Sequence, residues 1–311
     1  MSVLDTCLCE LLGAELPIVQ APMANNAPPA LAAAVSAAGA LGSIAGAALR
    51  PDELRAAIGE VRDATDRPFA VNVFAPPYLR AETLEVVLDE RPPVVSFTFG
   101  ILEPAPLREA GIVTLGTATT AAEARALEQA GVDALVAQGA EAGGHRGSFL
   151  DGFPLVPLAE LVAACVDAVS VPVVAAGGIV DGAGIAEMLR LGAAGVSLGT
   201  AFLFTPEAGR PREHLEALRS LETVVTDAYT GRPMRAARTP VLEELMAGPP
   251  PLPFPEQRKI AAEKGPLFMG GTSAARSREL GAAELVRLLA AEAGTATAQA
   301  RIASSRRPGP A

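Results

Sequence analysis

The sequence has no tryptophan, few aromatics of any kind, two histidines and three cysteines, and it carries an excess of acid over base. Each shortage excludes something. At a formal net charge of −10 there is no basic stripe to displace phosphate counterions, so nucleic acid is excluded as a partner. The arginines that do cluster, Arg301, Arg306 and Arg307, fall in a Ser-, Pro- and Gly-rich tail over residues 295–311 that reads as disordered. Cys7, Cys9 and Cys165 are odd in number, and Cys7-x-Cys9 has no second pair with which to complete a metal site. A reduced, cytoplasmic chain without a metal is the simplest reading. No signal peptide is evident, because Asp5 and Glu10 interrupt the first residues. Residues 31–49 are uncharged and long enough to cross a bilayer, but they are rich in Ala and Gly and broken by Gly39, Gly42 and Gly46. That run reads as soluble core, so no membrane is expected. No Gly-x-Gly-x-x-Gly opens a helix after a strand, no His/Cys/Asp/Glu group has metal-ligand spacing, and no serine sits in a nucleophile elbow.

What is present is an apolar chain, half hydrophobic, built largely from Ala, Val and Leu. Apolar runs recur at residues 17–23, 40–45, 69–75, 94–100, 112–117, 134–138, 171–176 and 195–201. Helical patterns separate them at 28–38, 51–64, 80–89, 104–110, 120–130, 155–168 and 181–191. Pro51-Asp52-Glu53 is first-turn chemistry, and Thr120 precedes Glu123 at capping-box spacing. Strands that are apolar throughout suit a parallel sheet buried on both faces. Eight β–α units over residues 1–204 predict a (β/α)8 TIM barrel, with an open doubly wound sheet as the alternative. The regular pattern stops there. Residues 205–280 predict an irregular, mainly helical C-terminal cap segment, lying over the barrel mouth or against its side, and 281–294 a closing helix. Within the cap, residues 248–255 hold five prolines and exclude helix or central strand.

In such a barrel the chemistry sits at the C-terminal ends of the strands. Those ends supply Ala21-Pro22-Met23, Asn72, Gln138, the Gly143-Gly144-His145 loop, Gly177-Gly178 and Gly199-Thr200. Glycines after the seventh and eighth strands bring backbone N–H groups to a phosphate position. Asn72 and Gln138 offer amides to the edge of a heterocycle, or else satisfy loop backbone. His145 is the natural proton-transfer group, or in a blander reading a surface histidine in a glycine turn. His214, in the charged stretch Arg212-Glu213-His214, reads as a solvated surface residue. With one histidine and two amides for chemistry, an organic cofactor is required for redox work.

These segments resemble the nitronate monooxygenase family, formerly 2-nitropropane dioxygenases. The matching pieces are Pro17-Ile18-Val19-Gln20-Ala21-Pro22-Met23, Val71-Asn72, Val95-Ser96-Phe97-Thr98-Phe99-Gly100, the run from Gln138 to Gly147, Ala175-Ala176-Gly177-Gly178-Ile179 and Gly199-Thr200-Ala201-Phe202. The resemblance implies an FMN-dependent barrel. Ala21, Pro22 and Met23 would border the flavin ring, Asn72 and Gln138 would bond it, and Gly143, Gly144, Gly177, Gly178, Gly199 and Thr200 would hold its phosphate arm. His145 falls on the family's catalytic histidine, and residues 268–276 look like a variant of a late glycine motif. The implied reaction is oxidative denitrification of alkyl nitronates or nitroalkanes with O2, giving a carbonyl compound and nitrite. The alternative is an FMN-dependent NAD(P)H reductase of enoyl thioesters or quinones on the same barrel. An Ala-rich surface helix would suit a homodimer.

Overall fold

The structure, a computed structural model, describes residues 4–305 other than Asn25 and Asp151. Eight parallel strands form the central sheet: β1 (Ile18–Gln20), β2 (Gly42–Ile44), β3 (Phe69–Phe74), β4 (Val94–Thr98), β5 (Val113–Ala118), β6 (Ala134–Gln138), β8 (Val173–Ala176) and β9 (Gly195–Leu198). A two-residue strand, β7 (Gly144–His145), lies outside that sheet in the loop after β6. The sheet order is β1-β9-β8-β6-β5-β4-β3-β2, and every pair is parallel. The two end strands also meet. The Leu41 N–H donates to the Ile18 carbonyl at 2.9 Å, and the Gln20 N–H to the Leu41 carbonyl at 2.8 Å. Those bonds close the barrel, so the open-sheet alternative falls.

Parallel strands covered on both faces need no alternation, which is why these runs are apolar at nearly every position. Inward residues Val19, Leu41, Ala70, Val94, Leu115, Ala134 and Val174 form one layer of the barrel interior, packed on Leu8 and Leu12. Both leucines come from a short helix, Cys7–Leu12, which plugs the bottom of the barrel. The fit is close: a Cβ on Gly195 would lie 2.3 Å from Leu8 Cδ2. With the bottom filled, the top is left for a site.

Two expectations change beyond the barrel. The cap is a mixture, since β10 (Thr223–Thr226) and β11 (Met234–Ala237) pair antiparallel, and β11 also pairs with β7. The β-branched run Thr223-Val224-Val225-Thr226 favours strand over helix. The closing helix starts at Ala282 but runs on to Ser305, so residues 295–305 are helical rather than disordered. Its continuation is good helix-forming sequence, and the hydroxyls of Thr295 and Thr297 turn back to the carbonyls of Ala291 and Ala293. The last six residues, which include Arg306 and Arg307, lie outside the described residues. The eighth apolar run also ends early: β9 stops at Leu198 and Thr200–Leu203 forms a helical turn. Among the described residues, no helix is long and apolar enough to cross a membrane.

Candidate active site

The strand ends and the cap enclose a cavity of about 520 Å³ at the barrel top. All the residues singled out from the sequence border it: Ala21, Pro22 and Met23 after β1, Asn72 on β3, Gln138 at the end of β6, Gly143, Gly144 and His145 in the next loop, Gly177 and Gly178 after β8, and Gly199 and Thr200 after β9. A volume in this range is typical of a small-molecule or cofactor site.

The glycines converge at one end. Gly177 and Gly178 have φ of 126° and 71°, which favour glycine strongly. Gly143 lies flat against a segment of the cap, where an added Cβ would be 2.5 Å from Gly270 C and from Gly271 N. The Gly271 N–H donates to Thr200 Oγ1 at 2.8 Å, and the Thr272 N–H to the Glu141 carbonyl at 3.1 Å. The late glycine motif therefore docks between the β6 loop and the β9 loop and completes that end of the cavity.

The two amides do different work. Asn72 donates through Nδ2 to the Ser96 carbonyl at 3.2 Å and to Ser96 Oγ at 3.1 Å. Gln138 spans the loop after β6: Nε2 donates to the His145 carbonyl at 3.0 Å, and Oε1 accepts from the Gly147 N–H at 2.8 Å. The loop-satisfying reading describes the Gln138 side chain, while both residues still face the cavity.

The rest of that loop is fastened at almost every turn. Arg146 is fully buried and donates to the carbonyls of Gly139 at 2.6 Å and Gln138 at 2.8 Å. Arg235 on β11 donates to the Ala140 carbonyl at 2.7 and 3.0 Å. Glu123, buried at the start of a neighbouring helix, accepts from the N–H groups of Thr119 at 2.6 Å, Phe149 at 2.6 Å and Leu150 at 3.1 Å. Removing that carboxylate leaves one buried and two part-buried N–H donors without this partner at once. Glu123→Ala is expected to lower unfolding stability by about 3 kcal/mol, measured by urea denaturation.

His145 packs edge-on against Phe99 and Phe254, with ring centroids 5.8 and 5.3 Å away. Phe99 itself takes a positive φ of 73° and stacks on Phe74 at 4.7 Å, so packing holds a strained backbone at the end of β4. Phe254 comes from the proline-rich strap, which seats against Gly231. The Nε2 of His145 is shut off from solvent and has no hydrogen-bond partner. Burial, reinforced by the positive charges of Arg232 and Arg258, pushes this imidazole down to about 3. It is therefore neutral at physiological pH, with a ring nitrogen unengaged. The unfolded chain takes up this proton near 6.5 and the folded chain only near 3, so stability is complete above 6.5 and is lost as pH falls through that window. His145→Gln should flatten the fall in Tm between pH 6.5 and 4, and an unchanged slope would contradict the assignment.

His214 is not a surface residue. It shares a helix face with Leu218 one turn later, is buried, and lines the same cavity. Its Nε2 lies 3.4 Å from the Met269 carbonyl and its ring centroid 5.1 Å from that of Phe268. Burial lowers its pKa as well. The i, i+4 pairing with Leu218 was the available signal, outweighed by the charged neighbours Arg212 and Glu213. Sequence reasoning also missed Arg210, Tyr229 and Arg258 as cavity residues. Each comes from the cap, where no strand pattern marks which side chains turn inward.

The model of the family described as nitronate monooxygenase matches residues 5–84 and 79–299. The chain belongs to the nitronate monooxygenase family. Among its relatives, a nitronate monooxygenase of Pseudomonas aeruginosa is 40% identical, covering 91% of this chain and 97% of the relative. A probable nitronate monooxygenase of Staphylococcus saprophyticus is 37% identical over 84% of this chain and 89% of the relative. In solved structures, nitroalkane oxidase from Streptomyces ansochromogenes superimposes with a TM-score of 0.86 at 38% identity, covering 94% of this chain and 99% of the other. FabK from Thermotoga maritima follows with a TM-score of 0.84 at 33% identity, over 96% and 99%. The chain is thus an oxidoreductase of a family that generally depends on a flavin. The residues present fit such a group: a largely apolar chamber for a ring, amides on its wall, and glycines at one end, where Gly143 and Gly177 leave no room for a Cβ.

Proposed function

We propose that this chain binds FMN in the barrel mouth and converts alkyl nitronates, and nitroalkanes more slowly, to a carbonyl compound and nitrite with O2. The observation that carries this reading is a neutral His145 with an unengaged Nε2, near the charges of Arg232 and Arg258, in the wall of a largely apolar cavity. Ala21, Pro22 and Met23 would border the flavin, Asn72 and Gln138 face its ring, and Gly143, Gly144, Gly177, Gly178, Gly199 and Thr200 receive its phosphate arm. When bound, FMN supplies the electron-accepting and oxygen-activating chemistry.

The chain's own residues do the rest. A nitronate arrives as an anion, so it needs positive charge at the mouth, which Arg258 on the cavity wall and Arg232 behind Phe99 would provide. A neutral nitroalkane must first lose its α-proton. His145, on the cavity wall, would accept it, but an imidazole held near 3 is a weak base, so this route is slow in a site that takes the preformed anion readily. Phe74, Tyr78, Phe99 and Phe254 form an aromatic wall beside His145 that excludes water from the reacting centre.

The second reading is NAD(P)H-dependent reduction of an enoyl thioester or quinone, and the close superposition on FabK keeps it in play. Flavin-loaded protein given an alkyl nitronate in air should release nitrite and carbonyl product in equal amounts, with O2 uptake and no effect of NADPH. Absence of nitrite, together with steady NADPH oxidation in the presence of an enoyl thioester or quinone, would replace the first reading with the second.

A further inference from the structure

Three guanidinium groups, those of Arg146, Arg232 and Arg235, hold the loop that carries His145, and none of them forms an ion pair among the described residues. Glu123 and Glu141 act on Arg146 only through longer-range attraction. Arg146 and Arg235 bond backbone carbonyls and the Thr223 hydroxyl, whereas Arg232 lies behind Phe99, a residue of the cavity wall. It leaves the β10–β11 connection, is buried, and donates from Nε to the Arg146 carbonyl at 3.3 Å and from a terminal nitrogen to the Ser148 carbonyl. Its guanidinium carbon lies 4.1 Å from the centroid of Phe99 and 5.2 Å from that of Phe153, and the Tyr78 hydroxyl is a further partner. Phe99 in turn touches the ring of His145, so one aromatic ring separates the cation from the imidazole.

We propose that Arg232 is a positioning residue of this site, which fastens the His145 loop to the cap and keeps the cavity mouth positive for an anionic substrate. A neutral side chain would tie down two carbonyls without the desolvation cost of a buried guanidinium that lacks a carboxylate. Retaining a cation there has a use only if its charge is felt, and Phe99, which it covers, and His145 both line the cavity. The groups facing His145 from each packed element are consistent with this. The β10–β11 connection brings Arg232, the helix Glu256–Lys264 brings Arg258, the end of β4 and the strap bring uncharged Phe99 and Phe254, and Tyr78 joins them from the loop after β3. No acidic group faces the imidazole among the causes of its shift.

The inference rests on the nitronate reading only for the identity of the anion. Its test compares Arg232→Lys, which keeps the charge, with Arg232→Gln, which keeps a donor without it, in flavin-loaded protein. Arg232→Met stands in for the neutral variant if the glutamine protein does not fold. Histidine NMR with His214→Gln as the assignment control should show His145 taking up a proton at higher pH in the neutral variant and near its wild-type value in the lysine variant. The KM for an alkyl nitronate should rise about tenfold in the neutral variant, with a smaller change in kcat, and stay within about threefold for lysine. Equal impairment of both variants, or an unmoved His145 titration in a folded neutral variant, would reduce Arg232 to a structural tether and overturn the proposal. If the wild type turns over no nitronate at all, the functional reading fails, while the His145 titration still decides the role of Arg232.

Discussion

His145→Ala is expected to lower turnover of a neutral nitroalkane by about a hundredfold or more, while the matching nitronate loses less than about tenfold. The difference follows from what each substrate needs. The nitroalkane requires a proton acceptor, and His145 on the cavity wall is a neutral imidazole whose Nε2 has no hydrogen-bond partner. The other cavity histidine is engaged, since His214 Nε2 lies 3.4 Å from the Met269 carbonyl. Arg210 and Arg258 also line the cavity, but guanidinium groups do not accept protons at neutral pH. The nitronate has no proton to give up, so deleting the imidazole would leave the proposed electrostatic stabilisation by Arg232 and Arg258 in place. Steady-state rates on both forms of one compound, with the nitronate prepared beforehand in base, provide the check. Equal loss on both would remove the base role and leave His145 as a packing residue for Phe99 and Phe254.

Gly143→Ala should abolish or severely weaken flavin retention. The added methyl would sit 2.5 Å from backbone atoms of both Gly270 and Gly271, which have no flexible end to move aside. Either the β6 loop or the late glycine segment must shift, and both border the cavity end assigned to the phosphate arm. Overpacking of this kind costs about 1–3 kcal/mol, which corresponds to about fivefold to a hundredfold in affinity if it falls on the bound form. Flavin content of the purified variant, read from its visible absorbance against protein concentration, should drop, and the fold should survive. Gly59→Ala is the control, because a methyl at that helical position meets no atom within 4 Å. A Gly143→Ala protein that keeps its full flavin complement would mean that the cofactor lies elsewhere.

The barrel was legible because its physics is written locally. A parallel strand covered by helices on one side and the interior on the other is apolar at every position, so Ala134-Leu135-Val136-Ala137 can be read as a strand without any partner in view. The strand-end residues followed from the barrel, and all of them border one cavity. The cap was not legible in the same way. β7 is only Gly144 and His145, and nothing but its pairing with Met234 and Arg235 makes it a strand. Arg232 and Arg235 act on carbonyl groups far along the chain, a relation that leaves no periodicity and no charge pattern. Phe254 lies in a run whose prolines correctly excluded regular structure but could not say where the ring would point. The helix Cys7–Leu12 was missed because six residues do not establish a period.

In the proposed reaction a nitronate anion delivers electrons to a flavin held in this barrel mouth. The measurement that tests it most directly is the visible spectrum of the flavin-loaded protein under anaerobic conditions, with an alkyl nitronate added to one cuvette and NADPH to another. The nitronate alone should bleach the flavin, and admitting O2 should restore the colour as nitrite appears. Bleaching by NADPH with no response to the nitronate would contradict the account and assign this barrel to the reductases.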